Sequence, residues 1–231
     1  MTNKIVGARS SLLYSLALVG NHEYLDDMSS IFAESIRFYG VKHPVLRATM
    51  QKWLDQSELN FEERRKIVQT LWDGGSREER LIALWMVSEE EDLLKAVTWN
   101  EILIWSGSPD NWEVADVLAM RILAPWILRD LVGRLKYLDL LLSGNSYWRR
   151  SVSISAAISL NHLGSVTYEH TIHMIERILP EHHPVVTRVV LLALLELIKI
   201  NPMRLSLFLR QHREELPAHL LAEVEKESLR G

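Results

Sequence analysis

Apolar side chains recur at spacings of three and four residues along nearly the whole chain, and no segment alternates apolar and polar residues for more than a few positions. The first pattern is typical of amphipathic α-helices, whereas alternation would indicate half-buried β-strands. The chain has only ten glycines and seven prolines among 231 residues, too few for an all-β protein with many tight turns. The pattern therefore predicts an all-α fold.

The periodic stretches are separated by turn residues such as Gly40, Gly74–Gly75 and Asn201–Pro202, so the chain divides into thirteen predicted short helices. These cover residues 6–19, 23–38, 44–57, 60–73, 77–89, 98–106, 112–122, 125–142, 148–162, 167–178, 184–200, 202–212 and 217–229. Thirteen short helices exclude a simple four-helix bundle. The connections between them are short, which favours a single domain over residues 1–231.

Composition excludes several classes of protein. The longest apolar run, Val189 to Leu195, is too short to cross a bilayer, so we expect no membrane association. The absence of cysteine excludes disulfides and thiolate metal sites and fits a reducing compartment. Residues 10–20 follow two basic residues as in a secretory signal, but their polar interruptions favour an amphipathic helix instead. We therefore expect a cytoplasmic protein.

The formal net charge is −4, which provides no general attraction to a polyanion. Any site for nucleic acid must therefore be a local concentration of basic side chains.

An internal repeat suggests where such a concentration could lie. Five predicted helices can be superimposed so that one polar residue precedes an apolar stretch: Arg47, Arg80, Asp116, Arg150 and Arg188, which are 33, 36, 34 and 38 residues apart. Two helices with two short turns take about that many residues in helical repeat arrays. The repeat therefore predicts stacked helix pairs in a solenoid, with these five positions along one surface.

The four arginines of this set would form a basic row that Asp116 interrupts. One hypothesis is that the row follows a phosphate backbone along a concave groove. The other is that each arginine joins one repeat to the next by bonding loop carbonyls or a carboxylate. Spacing alone leaves both hypotheses open.

Common catalytic motifs are absent. The sequence has no phosphate-binding Gly-rich loop, dinucleotide fingerprint, G-x-S-x-G or H-E-x-x-H. His170 and His173 would share a helical face, but no third ligand follows at a recognisable spacing, which favours surface or capping histidines. We predict no metal site.

A sharper hypothesis comes from Trp112 and Asp116, which lie four residues apart and so on one face of a helix. Arg150 occupies the equivalent repeat position one unit later, beside Tyr147, Trp148 and Arg149. An indole face attracts a cation, and a guanidinium holds a phosphate. The set would suit a cationic group on a sugar-phosphate chain, although tryptophans in helical proteins are mostly core residues.

These motifs, in their order, resemble those of the AlkD-type DNA alkylation-repair glycosylases. The resemblance covers roughly residues 23–215 and rests on residues 38–47 (Phe-Tyr-Gly-Val-Lys-His-Pro-Val-Leu-Arg), Leu71-Trp72-Asp73, Trp112-x-x-x-Asp116 and Asn145-x-x-Trp148-x-Arg150. It implies a right-handed, curved α-solenoid of HEAT-like helical repeats with a concave groove.

The resemblance also implies an activity. Members of that family hydrolyse the N-glycosidic bond of cationic alkylated purines, such as 3-methyladenine and 7-methylguanine, in duplex DNA. They use no metal or other cofactor and no deep base-flipping pocket. The implied partner is double-stranded DNA with alkylated bases, and we expect the protein to act as a monomer.

Residue roles follow from the same resemblance. Asp116 would stabilise positive charge on the deoxyribose and orient water, Trp112 would face the cationic nucleotide, and Arg150 would hold a phosphate. The remaining implied contacts are the backbone-binding arginines Arg47, Arg80, Arg149 and Arg188 and the aromatic side chains Tyr147 and Trp148.

One position departs from the family pattern. Leu192 stands where the family has a second aromatic residue, and Tyr147, Trp148 or Tyr168 would have to supply that face. Two alternatives therefore stay open: a related protein that binds DNA without excising bases, and an α-solenoid scaffold for a protein partner.

Overall fold

The computed structural model describes residues 3–31 and 36–228. Within them the regular structure is helical apart from an isolated β-bridge between Arg37 and Ser76, which confirms the all-α prediction. The chain forms two compact units, residues 1–98 and residues 99–231. The single domain over 1–231 and the right-handed, curved solenoid stay predictions. In the described part, no helix is both long and apolar enough for a bilayer span.

The first unit contains six helices within its described residues: α1 (Asn3–Val19), α2 (His22–Ile31), α3 (His43–Ser57), α4 (Phe61–Gly74), α5 (Arg77–Glu89) and α6 (Glu91–Ala96). Helix α1 packs on α3 and α4, and α4 packs on α5. Their buried faces carry Leu12, Leu46, Ile67 and Ile82, which are fully buried. The 3.6-residue period of these apolar positions is what gives each helix one face to bury.

The second unit contains α7 (Trp99–Ser106), α8 (Trp112–Leu118), a π-helical segment (Ala119–Leu123), α9 (Ala124–Leu128), α10 (Leu131–Arg134), α11 (Lys136–Leu142), α12 (Tyr147–Leu160), a 3₁₀ turn (Asn161–Leu163), α13 (Ser165–Ile178), α14 (Pro184–Ile200), α15 (Pro202–Gln211) and α16 (Ala218–Ser228). Helix α12 packs against α8, α11 and α14. It is therefore the central helix of this unit, and α8 and α14 both lie against it.

Three sequence predictions of helices are wrong. The helix expected over 23–38 does not continue through residues 36–38, where Arg37 forms its bridge; residues 32–35 lie outside the described part. Helix α6 was missed, because no helix was expected between those over 77–89 and 98–106, whereas Glu91 and Asp92 begin a new helix there. Acidic side chains are favourable in a first helical turn because they face the positive end of the helix dipole.

The third error is the single helix expected over 125–142. The structure has three shorter helices there, α9, α10 and α11. The chain instead runs from α8 through the π-helical segment into α9. Pro125, the second residue of α9, has no backbone N–H to donate and its ring would clash with the carbonyl four residues earlier. The π-helical segment, whose hydrogen bonds run five residues back, ends two residues before this proline.

The five positions of the sequence repeat occupy equivalent places. Arg47, Arg80, Asp116, Arg150 and Arg188 are each the fourth or fifth residue of their helices, namely α3, α5, α8, α12 and α14. The alignment made from the sequence therefore identified corresponding helices.

The start of α5 contains charged side chains that are buried. Arg77 is 1% exposed and Glu78 is fully buried, with 3.2 Å between Arg77 Nη1 and Glu78 Oε1. Glu78 also accepts hydrogen bonds from the backbone N–H groups of Tyr39 (3.0 Å) and Val41 (3.2 Å), and Arg77 Nη1 donates to the carbonyl of Val41. Side chains of α5 thus satisfy the backbone of the segment that leads into α3.

Helix α4 begins with a reciprocal cap. Asn60 Oδ1 accepts from the Glu63 backbone N–H, and the Glu63 carboxylate accepts from the Asn60 N–H, both at 3.0 Å. The hydrogen bond from the Lys4 ammonium, followed by that from Asn60, holds the pKa of Glu63 below its usual value.

We expect Asn60→Ala to lower the free energy of unfolding by about 1 kcal/mol, because the Glu63 backbone N–H at the start of α4 loses its fixed acceptor. Urea unfolding measures this loss. Asn60→Asp, which keeps an acceptor at the cap, should be close to the wild type, and an Asn60→Ala protein of unchanged stability would contradict a stabilising role for this cap.

Candidate functional site

Trp112 and Asp116 share a face of α8. Helix α8 begins where Asn111 Oδ1 accepts the backbone N–H of Val114 (2.9 Å), so Trp112 is its first residue. Val114, Ala115 and Leu118 are buried, whereas Trp112 is 38% exposed and the Asp116 side chain 18% exposed. The indole and the carboxylate therefore lie at the edge of the packed core, where solvent reaches both.

The Asp116 carboxylate is held at both oxygens. Ser155 Oγ, on α12, donates to Oδ1 at 2.9 Å, and Arg188 Nη2, on α14, donates to Oδ2 at 2.8 Å. Each carboxylate oxygen has a second lone pair that can still accept a hydrogen bond. The carboxylate is thus fixed in orientation and keeps the capacity to bind water.

Arg188 spans from α14 to α8, and α12 packs against both of those helices. Ser151 and Ser155 lie one turn apart on α12 and are both buried. Sequence analysis missed this link, since Ser155 had no distinguishing signal and Arg188 lies 72 residues from Asp116.

Arg188 also contacts Trp112. The carbon of its guanidinium lies 4.6 Å from the centroid of the indole ring, a cation–π distance. Its Nη1 is buried and has no hydrogen-bond partner among the described residues. The sequence analysis predicted that a cationic nucleotide binds beside Trp112 and Asp116. In the structure, the Arg188 guanidinium contacts both of these side chains instead. We call Trp112, Asp116, Ser155 and Arg188 the α8 cluster.

Arg150 belongs to a different cluster. Its Nη1 lies 2.8 Å from Glu181 Oε1, and its Nε donates to the carbonyl of Leu142 at 3.3 Å. Arg150 and Ser155 are five residues apart on α12, which separates them by about 140° around the helix axis. The structure thus brings Trp112 and Asp116 together with Arg188 and gives Arg150 other partners.

A recurrent contact explains part of the arginine row. Arg80 Nε donates to the Trp72 carbonyl, Arg150 Nε to the Leu142 carbonyl and Arg134 Nη1 to the Trp126 carbonyl, each eight residues back in the chain. Carbonyls near a helix C-terminus lack intrahelical partners and carry partial negative charge. These arginines therefore connect successive helices. This agrees with the second hypothesis for the row, in which each arginine joins one repeat to the next by bonding a carbonyl.

The other predicted backbone-binding arginines also have partners within the protein. Arg47 pairs with Glu89 and lies 4.4 Å from the ring centroid of Trp85. Arg149 Nη2 donates to the carbonyl of Leu103 at 3.2 Å. Carboxylates thus neutralise Arg47, Arg150 and Arg188, so the row carries less net positive charge than its sequence suggests.

The predicted aromatic contacts lie at the start of α12. Tyr147 is 39% exposed and stacks on His183, with centroids 3.9 Å apart, and the Trp148 ring lies 5.5 Å from it. Tyr168 is buried, where it donates to the Asn201 carbonyl, and burial raises its pKa to about 12. Tyr168 therefore cannot present a ring face in place of Leu192, which is 37% exposed.

The two histidines predicted to share a face each have a carboxylate neighbour. His170 Nε2 lies 3.3 Å from Asp139 Oδ2, and His173 Nδ1 lies 3.0 Å from Glu176 Oε2. Burial lowers the pKa of His170. Among residues 3–31 and 36–228, no three His, Asp or Glu side chains group as metal ligands.

Comparison with known proteins identifies the family. The sequence model of the family described as DNA alkylation repair enzyme matches residues 12–224. The protein belongs to this family. Membership places it among proteins of DNA alkylation repair, which confirms the family expected from the sequence motifs. No curated protein is similar enough in sequence to match the chain.

Two solved structures share the fold of this DNA alkylation repair family member. One, described as a predicted DNA alkylation repair enzyme from Enterococcus faecalis, has a TM-score of 0.72 at 15% identity and covers 90% of this chain and 94% of its own. The other, smu.31 from Streptococcus mutans UA159, has a TM-score of 0.58 at 17% identity and covers 79% of this chain and 90% of its own. At these identities the likeness concerns the fold.

Proposed function

We propose that this protein is a DNA glycosylase that hydrolyses the N-glycosidic bond of cationic alkylated purines, such as 3-methyladenine and 7-methylguanine, in duplex DNA. Its family membership supports a role in alkylation repair. The observation that carries the finer proposal is the Asp116 carboxylate, which is oriented at both oxygens and lies beside a partly exposed indole.

Asp116 would act where charge develops. An alkylated purine carries a positive charge, so it leaves as a neutral base when the bond from C1′ to its nitrogen breaks. The bonding electrons go to the base, and positive charge passes to the deoxyribose. A fixed carboxylate stabilises that charge most where water is partly excluded. The free lone pairs of Asp116 can orient the water that adds to C1′ and then loses a proton.

Trp112 would contribute binding to the lesion. An indole attracts a cationic ring more strongly than a neutral one, because its face carries negative potential. A partly exposed ring beside a carboxylate therefore favours alkylated nucleotides over unmodified ones without enclosing the base. We keep the absence of a cofactor, the monomeric state and the cytoplasmic location as predictions.

The test of this function is base release. The purified protein is incubated with methylated duplex DNA, and free 7-methylguanine is measured by chromatography against spontaneous depurination. Release above that background is expected. If the protein binds duplex DNA with steep salt dependence but releases no base, it is a non-catalytic DNA-binding relative.

A second candidate is a scaffold for a protein partner. The observation that favours it is the pairing of Arg47, Arg150 and Arg188 with carboxylates, which weakens the row as a phosphate-binding surface. Duplex binding that is absent at low salt would favour this candidate.

We expect Arg150→Glu to weaken binding to duplex DNA whatever its sequence, and to reduce the slope of log affinity against log salt by about 1. The guanidinium would exchange its contact with Glu181 for a backbone phosphate, and a carboxylate would repel that phosphate. Fluorescence anisotropy across a salt titration measures both quantities. Glu181→Gln is the matched control and should not weaken binding, whereas equal affinity of Arg150→Glu and wild type at every salt concentration would remove Arg150 from the interface.

A further inference from the structure

We propose that Arg188 is an internal cation that occupies the binding site for the lesion in the free protein, and that a cationic nucleotide has to displace it. Arg188 would then be a specificity-determining residue of the α8 cluster. This inference rests on the proposed function and adds a selection step to it.

The contacts of Arg188 are those that a bound cationic base would make. Its guanidinium lies 4.6 Å from the centroid of the Trp112 ring, and its Nη2 lies 2.8 Å from Asp116 Oδ2. A planar cation between an indole and a carboxylate matches an alkylated purine in shape and charge. The two cations therefore compete for one place.

Arg188 can leave that place. Its side chain is 33% exposed, and that of Asp116 is 18% exposed, so the ion pair is only partly shielded from water. Partly exposed ion pairs contribute little to stability because solvent screens the charges and the long side chain gains freedom on release. Ser155 keeps its hydrogen bond to Asp116 Oδ1, so the carboxylate stays oriented when Arg188 moves.

The exchange would discriminate against undamaged DNA. A cationic base can replace the guanidinium because Asp116 keeps a counterion. A neutral purine that entered the same place would leave Asp116 without a counterion in a site that is partly desolvated, which is unfavourable. Arg188 would thus stay in position beside unmodified bases and give way to alkylated ones.

A phosphate-free ligand separates this step from DNA binding. We would titrate 7-methylguanosine at pH 6, where its ring is positively charged, and follow quenching of tryptophan fluorescence, with Trp112→Phe to identify the signal from Trp112.

Arg188→Gln should bind the nucleoside about tenfold more tightly than the wild type, because the competing cation is removed. Arg188→Lys, which keeps a cation, should stay within about threefold of the wild type, and guanosine should show no tightening. If Arg188→Gln binds 7-methylguanosine no more tightly than the wild type, Arg188 only positions Asp116 and the proposal is wrong.

A second measurement uses the unaltered protein, which keeps the test decisive if the glutamine variant does not fold. The Nε–H signal of Arg188 in ¹⁵N NMR, identified by its loss in Arg188→Lys, should shift as 7-methylguanosine is added and stay unchanged with guanosine. A signal that is unaffected by both nucleosides would overturn the proposal. Base release from methylated DNA is measured separately. If the wild type releases base but Arg188→Gln binds 7-methylguanosine no more tightly than the wild type, this inference alone is refuted. If Arg188→Gln binds the nucleoside more tightly but the wild type releases no base, the proposed glycosylase activity is refuted.

Discussion

Asp116→Asn should lower the rate of 7-methylguanine release from methylated duplex DNA by about 10²-fold or more, the typical effect of removing one preorganised electrostatic group. Asparagine has nearly the same shape as aspartate and can still accept the Ser155 hydrogen bond, so the change removes charge more than structure. Without that charge, nothing in the α8 cluster offsets the positive charge on the deoxyribose. Single-turnover kinetics at saturating protein would measure the chemical step itself.

Asp139→Asn is the matched control for this experiment. It also removes a carboxylate from an ion pair with an arginine, Arg177, but it lies on α11 and is not part of the α8 cluster. We expect its rate of base release to equal that of the wild type, and thermal unfolding should find both variants folded. If Asp116→Asn releases base as fast as the wild type, the assignment of Asp116 as the catalytic carboxylate is wrong.

Arg77→Met should lower the free energy of unfolding by about 3–5 kcal/mol, the usual cost of breaking a buried ion pair by removing one partner. Glu78 is fully buried, and Arg77 is its cationic neighbour. Without the guanidinium, a charged carboxylate would remain inside the first unit, where the N–H groups of Tyr39 and Val41 still donate to it. Urea unfolding followed by tryptophan fluorescence would report the loss.

Two further variants test the cause. Lys95→Met removes an exposed ion pair with Glu91 and should change stability by less than about 0.5 kcal/mol. Arg77→Met combined with Glu78→Gln should be more stable than Arg77→Met alone, because the uncompensated charge is gone. If Arg77→Met is as stable as Lys95→Met, the buried pair does not support this part of the fold.

Sequence patterns were sufficient for most helices because a helix with one apolar face repeats that face every three or four residues. They were also sufficient to align Arg47, Arg80, Asp116, Arg150 and Arg188, since equivalent helices of a repeat keep equivalent positions. They failed at α6, which no predicted helix covers, and beside Pro125, where a π-helical segment joins two helices that were expected to be separate. Both failures concern how one helix passes into the next.

The candidate site was only half visible in the sequence. Trp112 and Asp116 are four residues apart, and local helix geometry alone puts them on one face. Arg188 was identified as a basic residue of the row, but its place over Trp112 depends on the packing of α8, α12 and α14. Side chains from three helices meet there, and no local rule specifies which of them will touch.

The sequence by itself determined the helical class, the repeated register of its helices and the indole–carboxylate face of α8, because each depends on periodicity within a few turns. Only the tertiary structure decided which partner each charge has. Arg77 and Glu78 lie in a charged stretch of sequence that suggests an exposed surface, yet they are buried, and Asp116 pairs with an arginine 72 residues away. Burial and pairing depend on distances between helices that are far apart in the chain, and such distances exist only after the helices have packed.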